Sequence, residues 1–175
     1  MTFSPDTARA WVDIDLGALV ANARTLIGLS GTGLLPMVKA NGYGLGAVEI
    51  ARALEATDPW GYGVATVEEG AALREGGIGR PLLVLTPLLP AAVDQYLARG
   101  LRPSVGDLLA LRAWCSRSAE PFHLEIDTGM ARAGVRWDDA AALAEANGVL
   151  RSAQGWEGVF THFHSADDDP ASVER

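Results

Sequence analysis

The sequence predicts an α/β protein built on a parallel sheet. Three observations lead there. Short apolar runs, the mark of strands buried on both faces, alternate six times with stretches whose apolar residues fall at helical spacing. Each strand-to-strand interval is long enough for a crossover, as repeated βαβ units require. No linker or low-complexity stretch divides the chain, and 175 residues suffice for one domain with a sizeable core. The order of elements fits two architectures, a doubly wound open sheet or a (β/α) barrel. Gly42-Tyr43-Gly44-Leu45-Gly46 does not match the dinucleotide-binding G-x-G-x-x-G. A barrel needs eight strands, and six are counted.

Trp11-Val12-Asp13-Ile14-Asp15 alternates apolar and polar and predicts a short strand with one wet face. Asp15 can cap the helix that follows, in which Leu16, Leu19, Val20, Ala23, Leu26 and Ile27 share a face; Gly28 and Gly31 end it. Leu34 to Val38 reads as the first buried strand. Residues 47–56 form the next helix, stopped before Asp58-Pro59. Residues 60–66 are the second strand and 67–75 a helix stopped at Gly76-Gly77. Residues 81–85 are the third strand, 90–98 a helix closed by Gly100, and 101–105 the fourth strand. A helix runs from Asp107 to about Arg117. Residues 122–127 are the fifth strand, 138–147 a helix, and 156–163 the sixth strand.

A formal net charge of −8 argues against non-specific nucleic-acid binding, which needs a basic face. Cys115 is the only cysteine, so no internal disulfide forms, and its helical setting makes it a packing residue. Residues 1–10 hold no apolar core of a secretory signal, and no run approaches the length of a membrane span. The expectation is a cytoplasmic protein.

Lys39 is the only lysine and sits where the first apolar run meets a glycine-rich turn. It is either a solvated loop side chain or a partly desolvated amine of Schiff-base type, whose neutral form desolvation favours. Gly42, Gly44 and Gly46 let the backbone approach something bulky, and the Tyr43 hydroxyl is free to meet an anion. In His123-Leu124-Glu125-Ile126-Asp127-Thr128-Gly129-Met130-Ala131-Arg132-Ala133-Gly134, charges gather at a strand's carboxyl end. That reads as surface ion pairs, or as an arginine held where parallel sheets place ligands. His162 and His164, two apart on a strand, point the same way. They could be a metal pair without an evident third ligand, or structural histidines under a loop.

Three stretches carry a resemblance. Val38-Lys39-Ala40-Asn41-Gly42-Tyr43-Gly44-Leu45-Gly46 resembles the pyridoxal-phosphate attachment site of alanine racemases. Asp127-Thr128-Gly129-Met130-Ala131-Arg132-Ala133-Gly134 resembles that family's Asp-Thr-Gly-Met-x-Arg-x-Gly, and Thr161-His162-Phe163-His164-Ser165-Ala166-Asp167 its Thr-His-Phe-x-Ser/Thr-Ala-Asp. The motifs stand in the family's order, and the likeness runs from Trp11 to Asp167. It implies a TIM-type (β/α) barrel in which Lys39 binds pyridoxal 5'-phosphate and acts as one of two bases. It further implies that Tyr43 meets the phosphate, His162 packs on the pyridine ring, and Arg132 approaches the phenolic oxygen and the substrate carboxylate. Glu125 stands where many relatives carry a carbamylated lysine and is expected to orient Arg132 as a built-in negative charge. Leu85 is a supporting residue. No metal is implied.

The resemblance also implies what residues 1–175 do not supply. The family's second base is a tyrosine from a later, mostly β domain of a partner subunit. The expectation is therefore the N-terminal part of a barrel domain, about six of eight units, from a homodimeric enzyme that interconverts L- and D-alanine for peptidoglycan. The last barrel units and the C-terminal β domain would be missing. Alone, these residues are expected to expose sheet edges, to be aggregation-prone or partly molten, and to be catalytically silent. A racemase of another amino acid, or a non-catalytic pyridoxal-phosphate-binding barrel, are the alternatives.

Overall fold

The computed structural model describes residues 10–169 and Ala171; the readings made of residues 1–9 and 172–175 lie outside the described residues. In chain order the elements are α1 (Leu16–Ser30), α2 (Lys39–Tyr43), α3 (Ala47–Leu54), β1 (Tyr62–Val64), α4 (Val67–Glu75), β2 (Leu82–Val84), α5 (Val93–Arg99) and β3 (Arg102–Val105). Then come α6 (Leu108–Arg117), β4 (Phe122–Asp127), β5 (Val135–Arg136), α7 (Ala140–Leu150) and β6 (Trp156–Phe160). Four helices begin where the sequence supplies an oxygen to take an early N–H. Asp15 caps α1 through Ala18, Asp107 caps α6 through Ala110, and Asp139 caps α7 through Ala142, at 2.9, 2.7 and 2.9 Å. Thr66 caps α4 through Glu69 at 3.3 Å. Gly31 closes α1 in the left-handed region, while Gly28 lies inside the helix rather than ending it.

All the strand pairs are parallel, and each long strand neighbours the next in sequence: β1, β2, β3, β4, then β6. Before β1, Met37 bridges Gly63; the Val38 N–H donates to the Gly63 carbonyl and the Gly63 N–H to that of Pro36, both at 2.9 Å. This order never reverses. A doubly wound sheet must reverse at its switch point, so the arrangement is that of a barrel wall. The expected strand before Lys39 is thus present as a pairing but reduced to one bridge. Pro36 has no N–H to donate, and the chain leaves the ladder at Lys39.

Two departures have clear causes. Trp11–Asp15 forms no strand: Trp11 and Val12 are exposed, and without a neighbouring strand the alternation has nothing to pair with. β5 was not foreseen. It is two residues long and pairs with the carboxyl end of β4, Ile126 with Val135 and Asp127 with Arg136.

The apolar core lies between sheet and helices. Tyr62, Val64, Leu82, Val84, Val105, Leu111, Trp114, Phe122 and Leu124 are buried in it. Trp114 meets Tyr96 edge-on, and its indole N–H donates to the Glu120 carbonyl at 3.0 Å. Burial pushes the hydroxyls of both Tyr96, up to about 12, and Tyr62 upward. The strand period of two sends the alternate residues of β3 and β4 the other way. Arg102 and His123 meet Glu157 at 2.6 and 3.2 Å, with Trp60 under both the guanidinium and the imidazole. Further along the same face, the Ser104 hydroxyl lies 3.1 Å from the buried Glu125 carboxylate. Polar groups therefore stand on the inner face of β3 and β4, and the cavity described below opens at the strands' carboxyl end.

β5 can lie against β4 only because position 134 has no side chain. A Cβ there would stand 2.5 Å from the Asp127 nitrogen and 2.8 Å from the Ile126 carbonyl carbon, at φ +107°. Gly134→Ala should destabilise the chain by about 2 kcal/mol or more, since neither backbone can yield and the dihedral is strained. Urea unfolding of the variant would show it; an unchanged midpoint would contradict the close approach.

Candidate active site

The carboxyl ends of the strands meet around one cavity of about 450 Å³. Its wall includes Lys39, Tyr43, Leu85, Glu125, Arg132 and His162 of the residues singled out in the sequence, with Met37, Thr86 and Pro87 among the rest. Lys39 follows the first paired segment, Leu85 follows β2, Glu125 lies in β4, Arg132 on the loop after it, and His162 follows β6. They span more than a hundred residues of sequence, and parallel pairing alone brings them to one rim.

Lys39 opens an unusual turn. Ala40, Asn41, Gly42 and Tyr43 all have positive φ, from 52° to 64°, a left-handed helical turn. For residues with a Cβ this conformation costs about 1–2 kcal/mol each. The turn is tied internally by Gly42 N–H to Val38 carbonyl and Gly44 N–H to Ala40 carbonyl, at 2.8 and 2.9 Å. The Asn41 carboxamide oxygen takes the Ala47 N–H at 3.0 Å and so starts α3. Gly42 is buried against Ile50, and Tyr43 stands exposed at the cavity mouth. A hydrogen bond to the turn comes from another helix. Glu69 of α4 accepts the Ala40 N–H at 2.8 Å with one oxygen and the Ala65 N–H at 2.7 Å with the other. Sequence reasoning missed Glu69, although Thr66-Val67-Glu68-Glu69 has the Thr-x-x-Glu spacing of a capping box.

The Arg132 loop is shaped by Asp127. Its Oδ1 accepts the N–H groups of Gly129 and Ala131 at 3.0 and 2.9 Å. Those bonds, Ala131's first, hold its carboxyl below the usual carboxylate range. The Thr128 and Thr161 hydroxyls lie 2.7 Å apart and tie the ends of β4 and β6. Glu125 and Arg132 share the cavity wall without an ion pair between them; the acid's hydrogen bond is to Ser104. The expectation that the two histidines point together is corrected: β6 ends at Phe160, so the strand period no longer applies at 162–164. His162 lines the cavity, whereas His164 lies 2.5 Å from the Ser165 hydroxyl and packs over Gly129.

Among the described residues, neither the Lys39 nor the Arg132 side chain has a hydrogen bond or ion pair to the protein. Two cations left without partners on one wall, beside a phenol and an imidazole, suit an anionic ligand with a carbonyl carbon for the amine and a flat ring for the imidazole. No helix among the described residues is long and apolar enough to cross a membrane.

Residues 14–175 match the family model described as alanine racemase, N-terminal domain. An alanine racemase of Symbiobacterium thermophilum is 41% identical over 165 residues, covering 90% of this chain and 43% of the relative. One of Deinococcus radiodurans is 39% identical over 165 residues, covering 94% and 46%. The crystal structure of alanine racemase from E. faecalis superposes with a TM-score of 0.79 at 32% identity, over 92% of this chain and 46% of that one. The chain thus spans less than half the length of the relatives it matches.

The Asp127 bonds make the Arg132 loop sensitive to acid. A folded-state value below the unfolded one contributes order that is present above the ordinary aspartate range, about 3.9, and is lost as pH falls through the lower folded value. Amide exchange at Gly129 and Ala131 should therefore lose protection on acidification. Asp127→Asn keeps an acceptor and should remove the acid step, while Asp127→Ala should lose protection at every pH. Protection independent of both pH and substitution would contradict the assignment.

Proposed function

Because the chain belongs to the alanine racemase family, we propose that residues 1–175 form the lysine-bearing wall of a pyridoxal-phosphate-dependent active site that interconverts L- and D-alanine. The observation that carries this reading is the meeting of the unpartnered Lys39 and Arg132 with Tyr43 and His162 in one cavity. That donor set fits the cofactor: an amine for its aldehyde carbon, a hydroxyl for its phosphate, an imidazole for its ring face and a guanidinium for its phenolic oxygen. When bound, pyridoxal phosphate supplies a sink for the electron pair left behind when an amino acid loses its α-proton.

The chain's own residues do the rest. Lys39 would hold the cofactor through its Nζ, and that same amine is placed to take or return an α-proton on its own side of the cavity. Arg132 holds the substrate carboxylate with a fork that stays charged at any working pH. Leu85, with Met37 and Pro87, gives the wall apolar surface that keeps water from the reacting carbon. Glu125 sets a carboxylate beneath the cavity, fixed by Ser104. It biases Arg132 through space rather than by contact. Inversion needs a second base on the opposite face. We assign it to a partner subunit in a homodimer, with residues 1–175 as the front part of the barrel domain. The product D-alanine suits cytoplasmic supply of peptidoglycan precursors.

Lys39 is the only lysine, which makes the first test direct. Borohydride reduction in the presence of pyridoxal phosphate should fix one pyridoxyl group on Lys39, and Lys39→Ala should abolish it. Joined to the second half of a matched relative, the wild-type chain should racemise alanine, and Lys39→Ala should lower the rate on the order of 10³-fold. Label found only at the chain's terminal amine would overturn the reading. In the same fusion, Glu125→Gln should lower turnover more than cofactor affinity, and bicarbonate should not restore it. Unchanged kinetics would show that the charge is unnecessary.

A further inference from the structure

We infer that Glu69 is the positioning residue for Lys39, an inference that rests on the reading of Lys39 as the cofactor-binding amine. Glu69 lies in the first turn of α4, three residues after the Thr66 cap. A glutamate there ordinarily turns back to the N–H of the cap residue itself and serves its own helix. Here neither oxygen does so. One takes the N–H of Ala65, at the carboxyl end of β1, and the other crosses to the N–H of Ala40, 29 residues earlier in the chain. A helix cap has no need of that second bond.

Ala40 is the residue after Lys39 and the first in the left-handed turn. Its N–H comes too early to find a carbonyl within the turn. The Val38 N–H, bonded to the Gly63 carbonyl, fixes the chain to the sheet just before Lys39; the turn's other ties run within residues 38–47, so the backbone just after Lys39 has no second reference to the sheet among them. Glu69 supplies that reference. One carboxylate grips the backbone beside Lys39 and the backbone that ends the neighbouring strand, at 2.8 and 2.7 Å, and Ala65 itself lines the cavity. The bonds are charge-assisted and shared by one rigid group. They fix the Lys39 Cα against the cavity wall and hold strained residues in place. Glu69 is not among the residues lining the cavity, so it acts through Lys39 and not on the ligand.

Residues 1–175 joined to the second half of a matched relative and carrying Glu69→Ala, Glu69→Gln or Thr66→Ala provide the test, with two readouts. The first needs no cofactor: amide exchange at Ala40 and Ala65 should lose protection in Glu69→Ala and about half of the pair's protection in Glu69→Gln, which keeps one acceptor. The second is the rate of borohydride trapping of pyridoxal phosphate on Lys39. It should fall about tenfold or more in Glu69→Ala, as for a reacting group displaced by a fraction of an ångström, with Glu69→Gln between. Thr66→Ala removes the cap of α4 but leaves both carboxylate bonds. It should destabilise the helix and leave the trapping rate unchanged. Protection at Ala40 that survives Glu69→Ala would overturn the inference, as would lost protection with an unchanged trapping rate, or a Thr66→Ala rate as low as that of Glu69→Ala. If the wild type itself takes no label at Lys39, the functional reading fails, and the exchange at Ala40 alone decides whether the clamp exists.

Discussion

Parallel pairing of strands in their order of sequence is the constraint on which the rest depends. Each strand must run the same way, so every carboxyl end reaches the same rim and every crossover returns outside it. Lys39, Leu85, Glu125, Arg132 and His162 need share nothing in sequence to share a cavity. They need only follow, or lie near the end of, consecutive strands. The same geometry sends the amino ends to the opposite rim, where Arg102, His123 and Glu157 pair over Trp60. The inner face thus carries paired charges at the amino end and unpaired ones at the carboxyl end, while alternate apolar positions pack on the helices.

Much of this was legible because the sequence states it locally. Asp15, Thr66 and Asp107 mark helix starts by side-chain chemistry, and the helix from Val67 to Glu75 and the strand from Phe122 to Asp127 have the bounds read from the sequence. Lys39, Tyr43, Arg132 and His162 were legible through motifs, as a resemblance, and Glu125 by its place two residues before one of them; the convergence of the cavity residues is geometry that no local pattern contains. What escaped was of three kinds. Trp11–Asp15 has a strand's period but no partner, and a period does not create one. β5 is too short to leave a period at all. The left-handed turn at Ala40–Tyr43 is written only partly in its residues. Gly42 and Asn41 tolerate it, but Ala40 and Tyr43 do not prefer it, so the surroundings impose it.

Glu125 and Arg132 show how two residues can share a wall without sharing a contact. The sequence places an acid near Arg132, and the structure keeps both on one wall. Yet the acid is nearly fully buried and bonded to Ser104, while the arginine is exposed and unpaired. A short glutamate set deep in a strand satisfies its oxygen with the nearest hydroxyl. That leaves the guanidinium available to a ligand, whereas a direct ion pair would have occupied it.

The loop that carries Arg132 differs in kind from the others around the rim. Two strands paired in parallel are ordinarily joined by a dozen residues or more. Here β4 and β5 are joined through residues 128–134, and Ile126 already pairs with Val135. The loop is a small ring sealed at its base, with Asp127 spanning its interior. Closing so short a ring costs little chain entropy, and it leaves no slack. Surface loops of a barrel commonly absorb added or deleted residues as families diverge. This ring cannot: one residue more or fewer would turn Arg132 away or break the β4–β5 register. Its length, as much as its residues, sets where Arg132 stands, so the number of residues between the two strands is itself a part of the site.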